Sequence, residues 1–356
     1  PTRLAYGGAP CQPRHRPHTR RSASSTTGLA LIWDYRAPWW LPGGNAQTIY
    51  AAKFARRYSG RRPRWTRERW DTPDGDFVDL DWHEDDEQIA KDAPLLVLFH
   101  GLEGSSSSHY AQAFAEEARE RGWRMVIPHF RGCSGELNLA PRAYHSGDYE
   151  EIGWMLSRFK SQHQGPMFAV GISLGGNALM RWAGEMGHAA AKVVDGIVSV
   201  CSPIDLTASG RAIDTGFNKA VYARMFLSTM KPRAMQKLQQ FPGLFDPMEL
   251  MAATTLYAFD NVFTAPLHGF QGADDYWDRA SAKPGLSLVQ VPALVLNARN
   301  DPFIPASCLP SQAHVSDHVV LWQPETGGHV GFASGTFPGD LKEMPWAVTE
   351  WMTQHG

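Results

Sequence analysis

The sequence predicts an α/β architecture: a mostly parallel central sheet with helices on both faces and a helical cap inserted late in the chain. Three observations carry this. Apolar strand patterns alternate with helical ones from residue 94 to about 200, which marks a parallel sheet because each crossover needs a helix to return the chain to the same edge. The alternation lapses from about 207 to 288, where patterns such as FNKAVYARMFLSTM and ELMAATTLYAFDNVF are helical and rich in Met and aromatic residues. A buried-strand pattern returns only at VPALVLNARND, residues 291–301.

Taken in order, residues 1–33 include the basic run RHRPHTRRSASSTTG, which has no apolar periodicity and is expected to be a disordered tail. The core begins at 34, and its first part runs to 206. WTRERW, the turn TPDGD and FVDLDWHE read as a hairpin with its turn chemistry in place. PLLVLFHGLEG (94–104) is a continuous apolar run ending in glycine, as expected of a strand buried on both faces. SHYAQAFAEEARERG (108–122) follows with helical spacing and a glycine stop. WRMVIPHFRG, the amphipathic YEEIGWMLSRFKSQH, the strand PMFAVGIS, the helix LGGNALMRWAGEMG and the strand DGIVSVCSP complete this part. After the cap (207–288), residues 289–356 supply the second part of the core, with HVVLWQP as a strand and a closing helix near WAVTEWMTQH.

At 356 residues with 43% hydrophobic and 20% charged residues, the chain is long enough to bury a large core and has the composition expected of a soluble globular protein. Its charge is uneven. Residues 1–64 hold twelve of the 34 Lys and Arg but one of the 36 Asp and Glu, leaving 22 against 35 in the rest. An acidic body argues against a phosphate-rich partner for it, so no nucleic acid is expected. No run of 18 apolar residues and no signal-peptide pattern is present, so no integral membrane anchor is expected and the expected location is cytoplasmic. Cys11, Cys133, Cys201 and Cys308 show no ligand spacing and read as reduced thiols. HExxH, GxxxxGK[ST] and a helix-opening GxGxxG are absent, so no metal or organic cofactor is expected. Nothing in the sequence specifies an oligomeric state.

The chemistry centres on VGISLGGNAL, residues 170–179. A G-x-S-x-G match alone is weak, but here it lies between a buried-strand pattern and a helix start, the context that makes it a nucleophile elbow. Ser173 is the candidate nucleophile, with Gly171 and Gly175 leaving room for the turn and Gly176 letting the helix pack close. A serine hydroxyl needs a base and an acid, in the order Ser, Asp, His. His329, on the glycine-flanked loop after HVVLWQP, is the candidate base; His314 and His318 flank the start of that strand and point to the wrong end of the sheet. Asp301 follows the strand PALVLNA, at the edge where ligands gather in open α/β sheets. Asp260, Asp274, Asp275 and Asp278 lie in the expected cap and fit less well. The N–H groups of Leu102 and Leu174 are the candidate oxyanion donors. His100 is expected to brace its loop, and Glu103 to turn away and bond backbone N–H groups of the serine run 105–108.

The motifs PWWLPGGNAQTIYA, HGLEGSSSSHY, FRGCSGELN, YHSGDYEEI, GISLGGNAL, FTAPLHGF and NARNDPFIP together resemble the YheT-like branch of the α/β-hydrolase superfamily, across about residues 34–354. The resemblance implies a capped α/β-hydrolase fold and carries Ser173, Asp301 and His329 over as a catalytic triad. Animal relatives are membrane-anchored lipid hydrolases, but no such anchor is expected here, so the resemblance does not carry membrane residence over. Members often have His where Asn45 stands and two acids where Asn300 and Asp301 stand. The expected function is hydrolysis of a small-molecule carboxylic ester with an apolar acyl group, through an acyl-enzyme. An acyltransferase on the same triad would differ only in the final acceptor, and a non-catalytic binding protein would retain the fold without the chemistry.

Overall fold

The structure, a computed structural model, describes residues 33–84 and 89–356. The expected tail therefore lies outside the described residues, except for its last position. Trp33 is buried, with its ring 5.2 Å from Tyr35, 5.4 Å from Phe332 and 6.0 Å from Trp322. It belongs with the core and not with the tail, because an indole in contact with three rings removes a large apolar area from water.

Eight strands form one sheet: β1 (Trp65–Asp71), β2 (Phe77–His83), β3 (Leu95–Phe99), β4 (Arg124–Pro128), β5 (Met167–Ile172), β6 (Gly196–Val200), β7 (Ala293–Leu296) and β8 (Val319–Trp322). Their order is β1-β2-β4-β3-β5-β6-β7-β8. The β1–β2 hairpin pairs antiparallel, and β2 meets β4 antiparallel; every later pairing is parallel. Helices α2 (His109–Arg121), α3 (Tyr149–Gln162) and α4 (Leu174–Met186) make the crossovers. Strand alternation sorts the layers: Leu95, Val97 and Phe99 of β3 share a core cluster with Ile152, Met155 and Phe159 of α3 and Leu179 and Trp182 of α4. Gly122 ends α2 in the left-handed conformation, φ 67°, as its glycine stop predicts.

The register places the site. Phe99 pairs with Gly171, Ile172 with Val200, Val200 with Leu296 and Leu296 with Trp322. The carboxyl ends of β3, β5, β6, β7 and β8 are therefore level, and the loops that leave them emerge side by side.

Among the described residues no strand lies between β6 and β7. That stretch is helical, including α5 (Leu206–Ile213), α6 (Arg224–Gln240) and α7 (Ala273–Ala280). It has its own apolar cluster, built on Leu227, Leu250, Phe259, Phe263, Tyr276 and Trp277. Helix α1 (Gly44–Lys53) precedes the sheet, and α8 (Glu343–His355) closes the chain against α2.

Candidate active site

Ser173 occupies the turn between β5 and α4 with φ 51° and ψ −118°, a conformation that L-residues rarely adopt. Close packing holds it there. A Cβ on Gly175 would stand 2.6 Å from the carbonyl oxygens of Phe99 and His100, and one on Gly176 would collide with the Ser202 hydroxyl. Only glycine allows β5, β3 and α4 to approach so closely. Ser173 N–H donates to the Val200 carbonyl at 2.9 Å, which pins the turn to β6.

The three residues singled out from the sequence meet here. Ser173 Oγ lies 3.0 Å from His329 Nε2, and His329 Nδ1 lies 2.8 Å from Asp301 Oδ2. A carboxylate only accepts, so Nδ1 carries the proton and Nε2 is left to accept from the serine hydroxyl. The other Asp301 oxygen, Oδ1, accepts the Phe303 N–H at 2.8 Å, and the Phe303 ring lies 4.3 Å from the imidazole. Asp301 is thus oriented without a second acid at position 300.

The His329 loop rests on residues that the sequence did not single out. Thr48 Oγ1 accepts the His329 N–H at 2.8 Å while donating to the Gly44 carbonyl. Gln47 Oε1 accepts from Gly327 N–H and from Asn300 Nδ2, and Asn300 Oδ1 accepts the Gly328 N–H, each at 2.9 Å. Val330, a β-branched residue at φ 52°, donates its N–H to Cys201 Sγ, and its carbonyl meets His109 Nε2 at 3.0 Å. Burial holds the His109 imidazolium down to about 4, so the neutral ring donates from Nε2. Burial, with Asp301 alongside, pushes the Cys201 thiol well above its ordinary value, so it stays protonated. The motif GGNAQT was the available signal for Gln47 and Thr48.

Among the described residues, no hydrogen bond takes up the N–H of Leu102 or Leu174, the latter being the first residue of α4. Both residues line the cavity together with Ser173. His100 braces the loop: its Nε2 accepts the Phe130 N–H at 3.1 Å and its Nδ1 meets the Gly101 carbonyl at 2.8 Å. Burial, then the neighbouring His129, hold His100 down to about 3, so it is neutral. Glu103 departs from its expected role. Its Oε1 accepts from Tyr144 Oη at 2.8 Å and pairs with Arg233 at 2.9 Å, and none of its bonds goes to the serine run. A carboxylate this buried gains more from a cation and a phenol than from loop amides, and α6 brings Arg233 within reach.

A cavity with about 1090 Å3 of empty space, its mouth included, opens on Ser173. Its wall is mainly apolar, with Leu206, Ile213, Phe226, Met230, Phe259 and Phe263 facing inward. Asp260 also lines it; burial pushes this carboxyl up to about 6, although Thr264 and Trp277 Nε1 both donate to it. Among the described residues no group of three His, Cys, Asp or Glu side chains is arranged to hold a metal ion.

The comparisons agree with this architecture. The family model for the alpha/beta hydrolase fold matches residues 94–336. YheT of Escherichia coli (strain K12), whose name places it provisionally among esterases, is 38% identical over 312 residues, covering 87% of this chain and 90% of its own length. Phospholipase ABHD3 of Homo sapiens is 28% identical over 294 residues, covering 80% of this chain and 71% of its own. Among solved structures, mouse alpha/beta hydrolase domain-containing protein 10 superposes with a TM-score of 0.52 at 12% identity, covering 82% of this chain and 100% of its own. Est1E from Butyrivibrio proteoclasticus, in its ferulic acid complex, gives 0.51 at 16%, over 80% and 98%. These two speak for the fold alone. With a matching family model across most of its length and a relative at 38% identity over nearly all of it, this chain belongs to the α/β-hydrolase superfamily and, within it, to the YheT-like branch.

Proposed function

We propose that the chain is a serine hydrolase that cleaves carboxylic esters with apolar acyl groups through an acyl-enzyme. The observation that carries this reading is the hydrogen-bonded run from Asp301 through His329 to Ser173, at 2.8 and 3.0 Å. Ser173 Oγ attacks the ester carbonyl as His329 Nε2 takes its proton, and the imidazolium that forms is stabilised by Asp301. The carbonyl oxygen becomes an oxyanion held by the N–H groups of Leu102 and Leu174, a contribution of the order of 10²- to 10³-fold per donor. His329 returns the proton to the departing alcohol. Water, deprotonated by His329, then attacks the acyl-enzyme and releases the acid.

Residues 33–206 and 289–356 form the catalytic core in this reading, and 207–288 form the cap. Ile213, Phe226, Met230 and Phe263 supply an apolar wall suited to an acyl chain. No metal or organic cofactor enters the reaction, and the expected location remains cytoplasmic.

The test is intact mass after exposure to a fluorophosphonate, on wild type and Ser173→Ala in parallel, with p-nitrophenyl ester turnover read from the same samples. The expected result is one adduct on wild type alone and turnover lost in the variant. A folded wild type that takes no adduct overturns the reading.

A further inference from the structure

Helix α1 is inverted with respect to polarity. Gln47 and Thr48 face inward to hold the His329 loop, while Ile49, Tyr50, Lys53 and Phe54 face outward. Around that outer face lies an aromatic cluster. Tyr50 is 5.1 Å from Trp40, 5.7 Å from Phe54 and 6.4 Å from Phe337, and Trp40 is 5.6 Å from Phe337. Trp40 and Tyr50 are half-buried against Leu41, Ala51 and Ala55, and the rings around them stand in solvent: Phe54 is 68% exposed, Phe337 72%, and Trp39, next to Trp40, 92%. Isolated exposed apolar residues are ordinary, but a contiguous aromatic group gathered beside a helix marks an interaction surface.

Charge selects the partner. Lys53, at the end of α1, and Arg56, whose backbone bridges to Asp340 beside Phe337, are exposed, and neither is among the ion pairs formed by the described residues. The remainder of the chain, beyond residue 64, is acidic, with 35 carboxylates against 22 basic residues. An anionic surface therefore attracts this face and repels the rest. Residues 1–32 are an unsuitable cover, since they carry five arginines and no acid. A protein partner would have to neutralise these cations while burying protruding rings. Anionic headgroups over acyl chains meet both demands at once, with rings at the headgroup level and cations against phosphates.

We propose that the outer face of α1 and the segments beside it, with Trp39, Phe54 and Phe337 as the inserting rings and Lys53 and Arg56 as the cations, dock the protein on an anionic lipid bilayer. The docking is peripheral and does not depend on the esterase reading. It places the helix that supports the His329 loop against the membrane.

The test is co-sedimentation of the full chain with vesicles of phosphatidylcholine alone and with 30% phosphatidylglycerol, at low and high salt. Each cation near the surface is expected to add about fivefold to the affinity. Wild type should bind the anionic vesicles at least tenfold better than the neutral ones and release in high salt. Lys53→Glu/Arg56→Glu should lose that preference. Trp39→Ser/Phe337→Ser should bind at least tenfold less, with unchanged circular dichroism and unchanged turnover of a soluble ester. Equal binding to both vesicle types, no binding to either, or undiminished binding by both variants overturns the proposal; the last result would assign the attraction to residues 1–32.

Discussion

Thr48 Oγ1 accepts the backbone N–H of His329 at 2.8 Å, across 281 residues of chain. The bond ties the loop that carries the imidazole to a helix outside the sheet, and the Thr48 hydroxyl is held in turn by the Gly44 carbonyl at 2.7 Å. Thr48→Val keeps the shape and removes the acceptor. The expected outcome is a kcat about tenfold lower with KM changed less than twofold, and recovery in Thr48→Ser, because the ring loses its position while the cavity is unaltered. A KM effect that exceeds the kcat effect would refute this role.

Ser173 and His329 act as one unit in the proposed mechanism. Ser173→Ala and His329→Ala should each reduce kcat by about 10³-fold or more, and the double variant should be no worse than the poorer single one. Measured losses that multiply would mean that the two residues act independently.

Gly176 faces the Ser202 hydroxyl, with the Gly171 carbonyl 2.6 Å and the Ser199 hydroxyl 2.9 Å from where a Cβ would stand. Gly176→Ala should destabilise the protein by roughly 3 kcal/mol in urea unfolding, as overpacking at a backbone contact does. A loss below about 0.5 kcal/mol would show that β5 and α4 can part at low cost.

Burial raises the Asp260 carboxyl to about 6, above an unfolded value near 4. The folded state holds this proton more tightly, so its contribution to stability is complete below about pH 4 and is lost as pH rises through 6. Asp260→Asn removes the titration. Relative to wild type, the variant should gain stability between pH 4 and pH 7.5, by up to about 3 kcal/mol. Parallel stability curves for the two proteins would place the titration elsewhere.

Much of this was legible in the chain. Continuous apolar runs such as LLVLF are buried on both faces and pair in parallel, and the glycines of GISLGGNAL lie where backbone meets backbone. That Ser173, Asp301 and His329 would lie near one another was legible for the same reason: each follows the carboxyl end of a strand, and a parallel sheet brings those ends level. Trp33 was misread as tail because its ring partners, Phe332 and Trp322, are about 300 residues away.

Local pattern by itself determined the elements, their order and the edge at which reactive groups collect, since periodicity and turn chemistry act over a few residues. Tertiary structure alone decided which side chains hold them. Glu103 turned to Tyr144 and Arg233, 41 and 130 residues on, instead of to the adjacent serines, and Thr48 met His329 across nearly the whole chain. The physical reason is that a buried polar group takes whichever partner the packed fold brings within about 3 Å, and that choice is not written in its sequence neighbours.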